Sequence, residues 1–112
     1  MAALISIRRI DQTTIVDVTG DIDLASSPEV RKALLRELRE KRAPRLICNL
    51  TQVNYIDSSG IASLVEGLKT SRDLGSRLIL FGLSPIAREV LRLSRLLTVF
   101  EIYETENQAL LS

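Results

Sequence analysis

The sequence predicts an α/β fold in the order ββαβαβαβα: a mostly parallel sheet with an N-terminal antiparallel hairpin and packed helices. Three observations carry this. Short β-branched and aliphatic runs alternate with stretches whose apolar residues recur at helical spacing, as Ile61, Leu64, Val65 and Leu68 do at i, i+3, i+4 and i+7. Ser27-Pro28 and Ser84-Pro85 both read as helix starts. Leu78-Ile79-Leu80-Phe81 is continuously apolar, as befits a strand covered on both faces.

Taken in order, Leu4 to Ile10 and Thr13 to Thr19 are β-rich and separated only by Asp11-Gln12, where Asp suits a tight connection. They form the hairpin, and Ile5, Ile7, Ile15 and Val16 are expected to turn toward the core. Gly20-Asp21-Ile22-Asp23 then leads to the first helix, with Ser27 as its cap, Pro28 in its first position and Glu29 near the positive end of its dipole. Val30, Leu34 and Leu38 mark its buried face and Ala33 allows close approach. Arg31, Lys32, Arg36, Arg39 and Glu40 lie on the exposed one. Ala43-Pro44 ends this helix and Arg45 opens the central strand, whose run Leu46 to Leu50 is buried. The second helix reaches about Asp73, with Gly75 as the left-handed residue past its end. Arg77 to Gly82 is the next strand. Ile86, Ala87, Val90 and Leu91 form the stripe of a third helix, Thr98 to Ile102 a short last strand, and Glu104 to Leu111 a final helix.

Composition narrows the function classes. A chain of 112 residues, 46% hydrophobic and 26% charged, fits one globular domain over residues 1–112, with a core mostly of Leu, Ile and Val because aromatics make up only 4%. Fifteen Lys and Arg against 14 Asp and Glu give a net charge of +1, without the basic excess of a protein built to bind nucleic acid. Cys48 is the only cysteine, so no internal disulfide forms, which suits a reducing cytoplasm. No charged and apolar leader opens the sequence and no apolar run approaches membrane-span length, so neither secretion nor membrane insertion is expected. The absence of histidine excludes a Ser-His-Asp hydrolase and the usual zinc sites, which ends most small-enzyme readings; the chain is expected to carry no catalytic residue, metal or cofactor of its own.

The stretch Tyr55-Ile56-Asp57-Ser58-Ser59-Gly60 stands between the central strand and the second helix. Asp57 and Ser58 are the right residue types to cap that helix. If Thr13 to Thr19 and the central strand are parallel neighbours, the loop of Asp21 and Asp23 meets this one at the carboxyl ends of the strands, where functional loops of α/β sheets gather. Asp21, Asp23, Asp57, Ser58 and Ser59 then share a surface. Three readings compete: Ser58 as a phosphorylation switch; Asp57 as a phosphoacceptor, as in two-component receivers, with Asp21 and Asp23 on Mg²⁺; or a nucleotide-binding fold. The receiver reading lacks a lysine near the end of a later strand, since Arg77 to Gly82 and Thr98 to Ile102 have none. No Walker A sequence is present, and Gly60, Gly75 and Gly82 are too scattered to cradle phosphate.

Tyr55-Ile56-Asp57-Ser58-Ser59-Gly60-Ile61, together with Val18-Thr19-Gly20-Asp21-Ile22-Asp23 and Leu80-Phe81-Gly82-Leu83-Ser84-Pro85, resembles the STAS domain, specifically the stand-alone bacterial anti-sigma factor antagonists. The resemblance covers nearly the whole chain. It implies a partner-switching protein and not an enzyme: unphosphorylated, it binds an anti-sigma factor that is also a serine kinase. Phosphorylation of Ser58 by that ATP-dependent kinase releases it, and a separate Ser/Thr phosphatase restores binding. Asp21, Asp23, Asp57, Ser59 and Gly60 would lie with Ser58 on the partner surface. STAS domains also serve as stressosome-like scaffolds or act on phosphatases and transport complexes, so the resemblance leaves the downstream target open.

Overall fold

The computed structural model describes residues 3–112. Nine elements follow in the expected order: β1 (Leu4–Ile10), β2 (Thr13–Thr19), α1 (Ser27–Arg39), β3 (Arg45–Gln52), α2 (Ser58–Asp73), β4 (Arg77–Phe81), α3 (Pro85–Leu93), β5 (Glu101–Tyr103) and α4 (Glu106–Leu111). The sheet is ordered β1-β2-β3-β4-β5. β1 runs antiparallel to β2, in register from Leu4↔Thr19 to Ile10↔Thr13, and the remaining pairs are parallel. Asp11 closes the hairpin in the left-handed region at φ 53°, which Asp tolerates better than most residues.

Side-chain alternation divides the sheet into two faces. Val16, Val18, Leu46, Cys48, Leu50, Leu78 and Leu80 join the main core with Leu34 and Leu38 of α1, Leu64 of α2 and Leu91 of α3. Ile15, Ile47, Ile79 and Phe81 point the other way and pack on Ala109 of α4. Ile15 and Val16 are thus both fully buried, but on opposite sides of the sheet. The α4 face is partly polar: Arg8 donates to Asp17 (2.6 Å) and to Glu106 (2.5 Å), and the Asn49 amide donates to Asp17 (2.7 Å). On the other face, α1 and α2 come close where Gly67 leaves room for Leu34. The buried Glu37 carboxylate is satisfied by Arg9 at 2.7 Å. Burial pushes the Cys48 thiol up to about 12, so it stays an unionised core residue.

Several boundaries differ from expectation for identifiable reasons. Ser26, not Ser27, is the N-cap of α1, and its hydroxyl makes no cap bond because it donates to the Asp21 carbonyl (2.8 Å) and accepts from the Asp23 amide (3.0 Å). Ile86 is 48% exposed, because it sits about 120° around α3 from the row Ala87–Leu91 that meets the core. The last strand begins at Glu101, because the Val99 and Phe100 amides turn back to the Leu96 carbonyl. The final helix begins at Glu106, because Thr105 and Gln108 close a capping box there. Gly75, at φ 72°, takes the left-handed position after α2 as expected.

Candidate functional site

The parallel pairing of β2 with β3 brings their following loops together. Gly20, at φ 103°, turns the chain out of β2, and its amide donates to the Gln52 carbonyl at 3.0 Å. Two residues on, Ile22 and Ile56 form an isolated parallel bridge. The Ile22 amide donates to the Tyr55 carbonyl and the Asp57 amide to the Ile22 carbonyl, both at 3.0 Å. Both isoleucines are fully buried, so the two loops are clamped from below by apolar packing and from the side by backbone hydrogen bonds.

Asp57 is the N-cap of α2. Its Oδ1 accepts from the Gly60 amide at 2.9 Å and its Oδ2 from the Leu24 amide at 3.1 Å, so one carboxylate both starts the helix and ties it to the neighbouring loop. Asp21 Oδ1 accepts from the Tyr55 amide at 3.2 Å. Asp23 Oδ1 accepts from the Ser26 amide (3.1 Å) and the Ala25 amide (3.0 Å). The Ser26 amide first, and the Ala25 amide with it, hold the Asp23 carboxyl below the usual carboxylate range. All three acids therefore act as acceptors for backbone amides. Among the described residues, no group of three or more Asp, Glu, His or Cys is placed to hold an ion.

Ser58 is the first residue of α2 and is exposed, Ser59 is half-buried, and Ser63, one turn below, is buried with its hydroxyl donating to the Ser27 carbonyl. Of the three serines Ser58, Ser59 and Ser63, Ser58 alone is thus exposed. Gly60 is buried beneath it, and a Cβ there would lie 2.6 Å from the Ile22 carbonyl oxygen and from Ile56 Cγ2. The glycine of the motif is required by close packing against the bridge, a use that spacing alone does not reveal. A third loop joins the site: Ser84 caps α3 through the Ala87 amide and donates its hydroxyl to the Asn54 carbonyl at 2.7 Å.

The structure therefore brings together Asp21, Asp23, Asp57, Ser58, Ser59 and Gly60. It adds Leu24, 76% exposed, which sequence reasoning missed, and it exposes Tyr55 (42%), which opened the motif without a role of its own. Leu24, an apolar residue in a polar loop and outside any helical stripe, was the available signal. An exposed serine at a helix N-terminus, on a loop joined by backbone hydrogen bonds to one that carries the exposed Leu24, suits a surface read by another protein rather than a cavity that encloses a substrate.

This combination of sheet order, clamped loops and serine-led helix defines an α/β recognition module. The STAS domain family model matches residues 5–109, and the chain belongs to that family. It is 34% identical over 92 residues to the anti-sigma-B factor antagonist of Listeria monocytogenes, covering 81% of this chain and 79% of that one. An anti-sigma-factor antagonist (STAS) domain protein from Planctomyces limnophilus superposes with a TM-score of 0.84 at 22% identity, over 96% of this chain and 94% of that one. The Bacillus cell fate determinant SpoIIAA in its phosphorylated form gives 0.74 at 20% identity, over 96% of each chain. At these identities the two structures demonstrate the shared fold alone. Among the described residues no helix is long and apolar enough to cross a membrane.

Proposed function

We infer that this protein is an anti-sigma factor antagonist whose partner binding is switched by phosphorylation of Ser58. The observation that carries this reading is the Ser58 hydroxyl itself: exposed at the first position of α2, on a helix start that the Asp57 carboxylate caps and ties to the neighbouring loop. The similarity to the Listeria anti-sigma-B factor antagonist supports the class of partner, an anti-sigma factor, and the family resemblance implies that this partner is also an ATP-dependent serine kinase. The solved phosphorylated form of SpoIIAA supports the kind of modification.

The electrostatics explain how a modification with little structural effect would release a partner. A phosphoryl group adds a charge of about −1.5 to −2 at neutral pH. The α2 N-terminus returns roughly 0.3–1 kcal/mol to a charge placed there, so the modified serine is tolerated in the free protein. Under a partner, the same group must be desolvated beside the carboxylates of Asp21, Asp23 and Asp57. A penalty of about 3–4 kcal/mol at that contact weakens binding by two to three powers of ten. Release then follows from a change of charge on a rigid surface, and a Ser/Thr phosphatase would reverse it.

The test is phosphorylation by the cognate kinase with ATP and Mg²⁺, read by mass spectrometry, together with calorimetry of the complex. Ser58→Ala should keep partner binding and lose phosphorylation, and the phosphorylated wild type should bind at least a hundredfold more weakly. Phosphate on a different residue, or equal affinity of the two forms, would overturn the reading.

A further inference from the structure

The two ends of the sheet are unlike. At one, β5 offers three residues, too few to template another strand. At the other, β1 offers seven, and its outer edge has no neighbour among the described residues. Edge strands of that length are ordinarily blunted by proline, a bulge or uncompensated charge. β1 has no proline or glycine, and its register with β2 is unbroken. Its two charges are turned back onto its own chain, Arg8 to Asp17 and Glu106, Arg9 to Glu37. Leu4 and Ile10 remain 70% and 39% exposed, and Ile5 and Ile7 floor a groove of about 270 Å³ against Ala33 of α1.

We propose that this edge pairs with β1 of a second copy of the chain, antiparallel about a two-fold axis at Ile7. Such an axis stands perpendicular to the sheet and preserves its faces, so residues of the same parity must oppose each other. The register centred on Ile7 sets Leu4 against the partner's Ile10, Ser6 against the partner's Arg8, Ile5 against the partner's Arg9, and Ile7 against itself. All seven residues are paired and no two arginines meet. Shifting the centre to Arg8 sets Arg8 against itself; shifting it to Ser6 sets Leu4 against Arg8. The axis also places the two α1 helices side by side and antiparallel. The acidic first turn of each, with Glu29, then lies toward the basic last turn of the other, with Arg36 and Arg39. This self-complementarity in residue type, charge and symmetry selects a second copy over an unrelated strand. The proposal is independent of the Ser58 reading.

Sedimentation equilibrium of the intact chain tests it, in a concentration series reaching about 0.5 mM, where even a contact below the usual 1,200 Å² class populates a dimer. The mass should rise from 12.5 kDa toward twice that value, and Leu4→Lys should hold it at the monomer. Register is read separately by oxidative cross-linking: Ile7→Cys should form covalent dimer at least tenfold faster than Ser6→Cys, with the buried Cys48 silent in both. A monomer mass throughout the series overturns the proposal. So does dimerisation in which Ile7→Cys cross-links no faster than Ser6→Cys.

Discussion

Replacing Gly60 by alanine should destabilise the protein, although helix propensity alone predicts the reverse. Gly60 lies in the first turn of α2, where alanine would gain up to about 1 kcal/mol. Against this, the added Cβ would sit 2.6 Å from the Ile22 carbonyl oxygen, 2.6 Å from Ile56 Cγ2 and 2.9 Å from Ile22 Cγ2, all closer than real Cβ contacts. One of these atoms is backbone, and that oxygen also accepts the Asp57 amide at 3.0 Å, so no rotamer change relieves the clash. Overpacking of this kind costs about 1–3 kcal/mol, and a rigid backbone contact belongs at the upper end. The net loss is about 2 kcal/mol, or about 8–10 °C in Tm for a chain of this size. Urea unfolding measures it as a lower midpoint at unchanged slope. Gly67→Ala is the control: the nearest atom to its Cβ would be a side-chain methyl, Leu34 Cδ1 at 3.2 Å, and not backbone, so its stability should stay within about 1 kcal/mol of wild type. If Gly60→Ala proves as stable as the parent, the clamped-loop account of the site is wrong.

Asp57→Ala removes the acceptor for both the Gly60 and the Leu24 amides and should cost about 1–2 kcal/mol in urea unfolding, with Asp57→Asn losing less. Leu24→Ala, at an exposed position, should leave stability within about 0.5 kcal/mol of wild type, yet weaken partner binding about tenfold (about 1.4 kcal/mol) by calorimetry. A pH effect follows from Asp17, whose carboxyl is held below the usual range chiefly by Arg8 and also by Asn49. Because the unfolded chain takes up that proton more readily, the stabilisation is complete above the ordinary carboxylate range. It is lost as pH falls from about 5 through the lowered folded value. Urea midpoints between pH 7 and 3.5 should therefore decline less steeply for Asp17→Asn.

What the sequence determined by itself was whatever is encoded within a few residues of chain. Periodicity and punctuation located all nine elements, because a helix stripe, an N-terminal Ser-Pro or a left-handed Gly75 expresses local backbone preferences. The last strand and helix were the least legible, because a three-residue strand and a six-residue helix hardly have a period, and their limits depend on the Leu96 turn and the Thr105 cap. The Asp57-Ser58-Ser59-Gly60 stretch was legible as a capped helix start for the same reason.

Only the tertiary structure decided how that stretch is held. The Ile22–Ile56 bridge, the Leu24 amide on Asp57 and the Ser84 hydroxyl on Asn54 join residues about thirty positions apart. Which residues meet across such distances is set by strand order and register. Tertiary packing likewise covered both faces of β2, so that Ile15 and Val16 are each buried on their own side, and it buried Glu37 beneath Arg9 and left Leu24 in solvent. Hydropathy ranks a side chain's preference for leaving water, whereas the space and the partner available to it exist only once the sheet and its helices have closed around it.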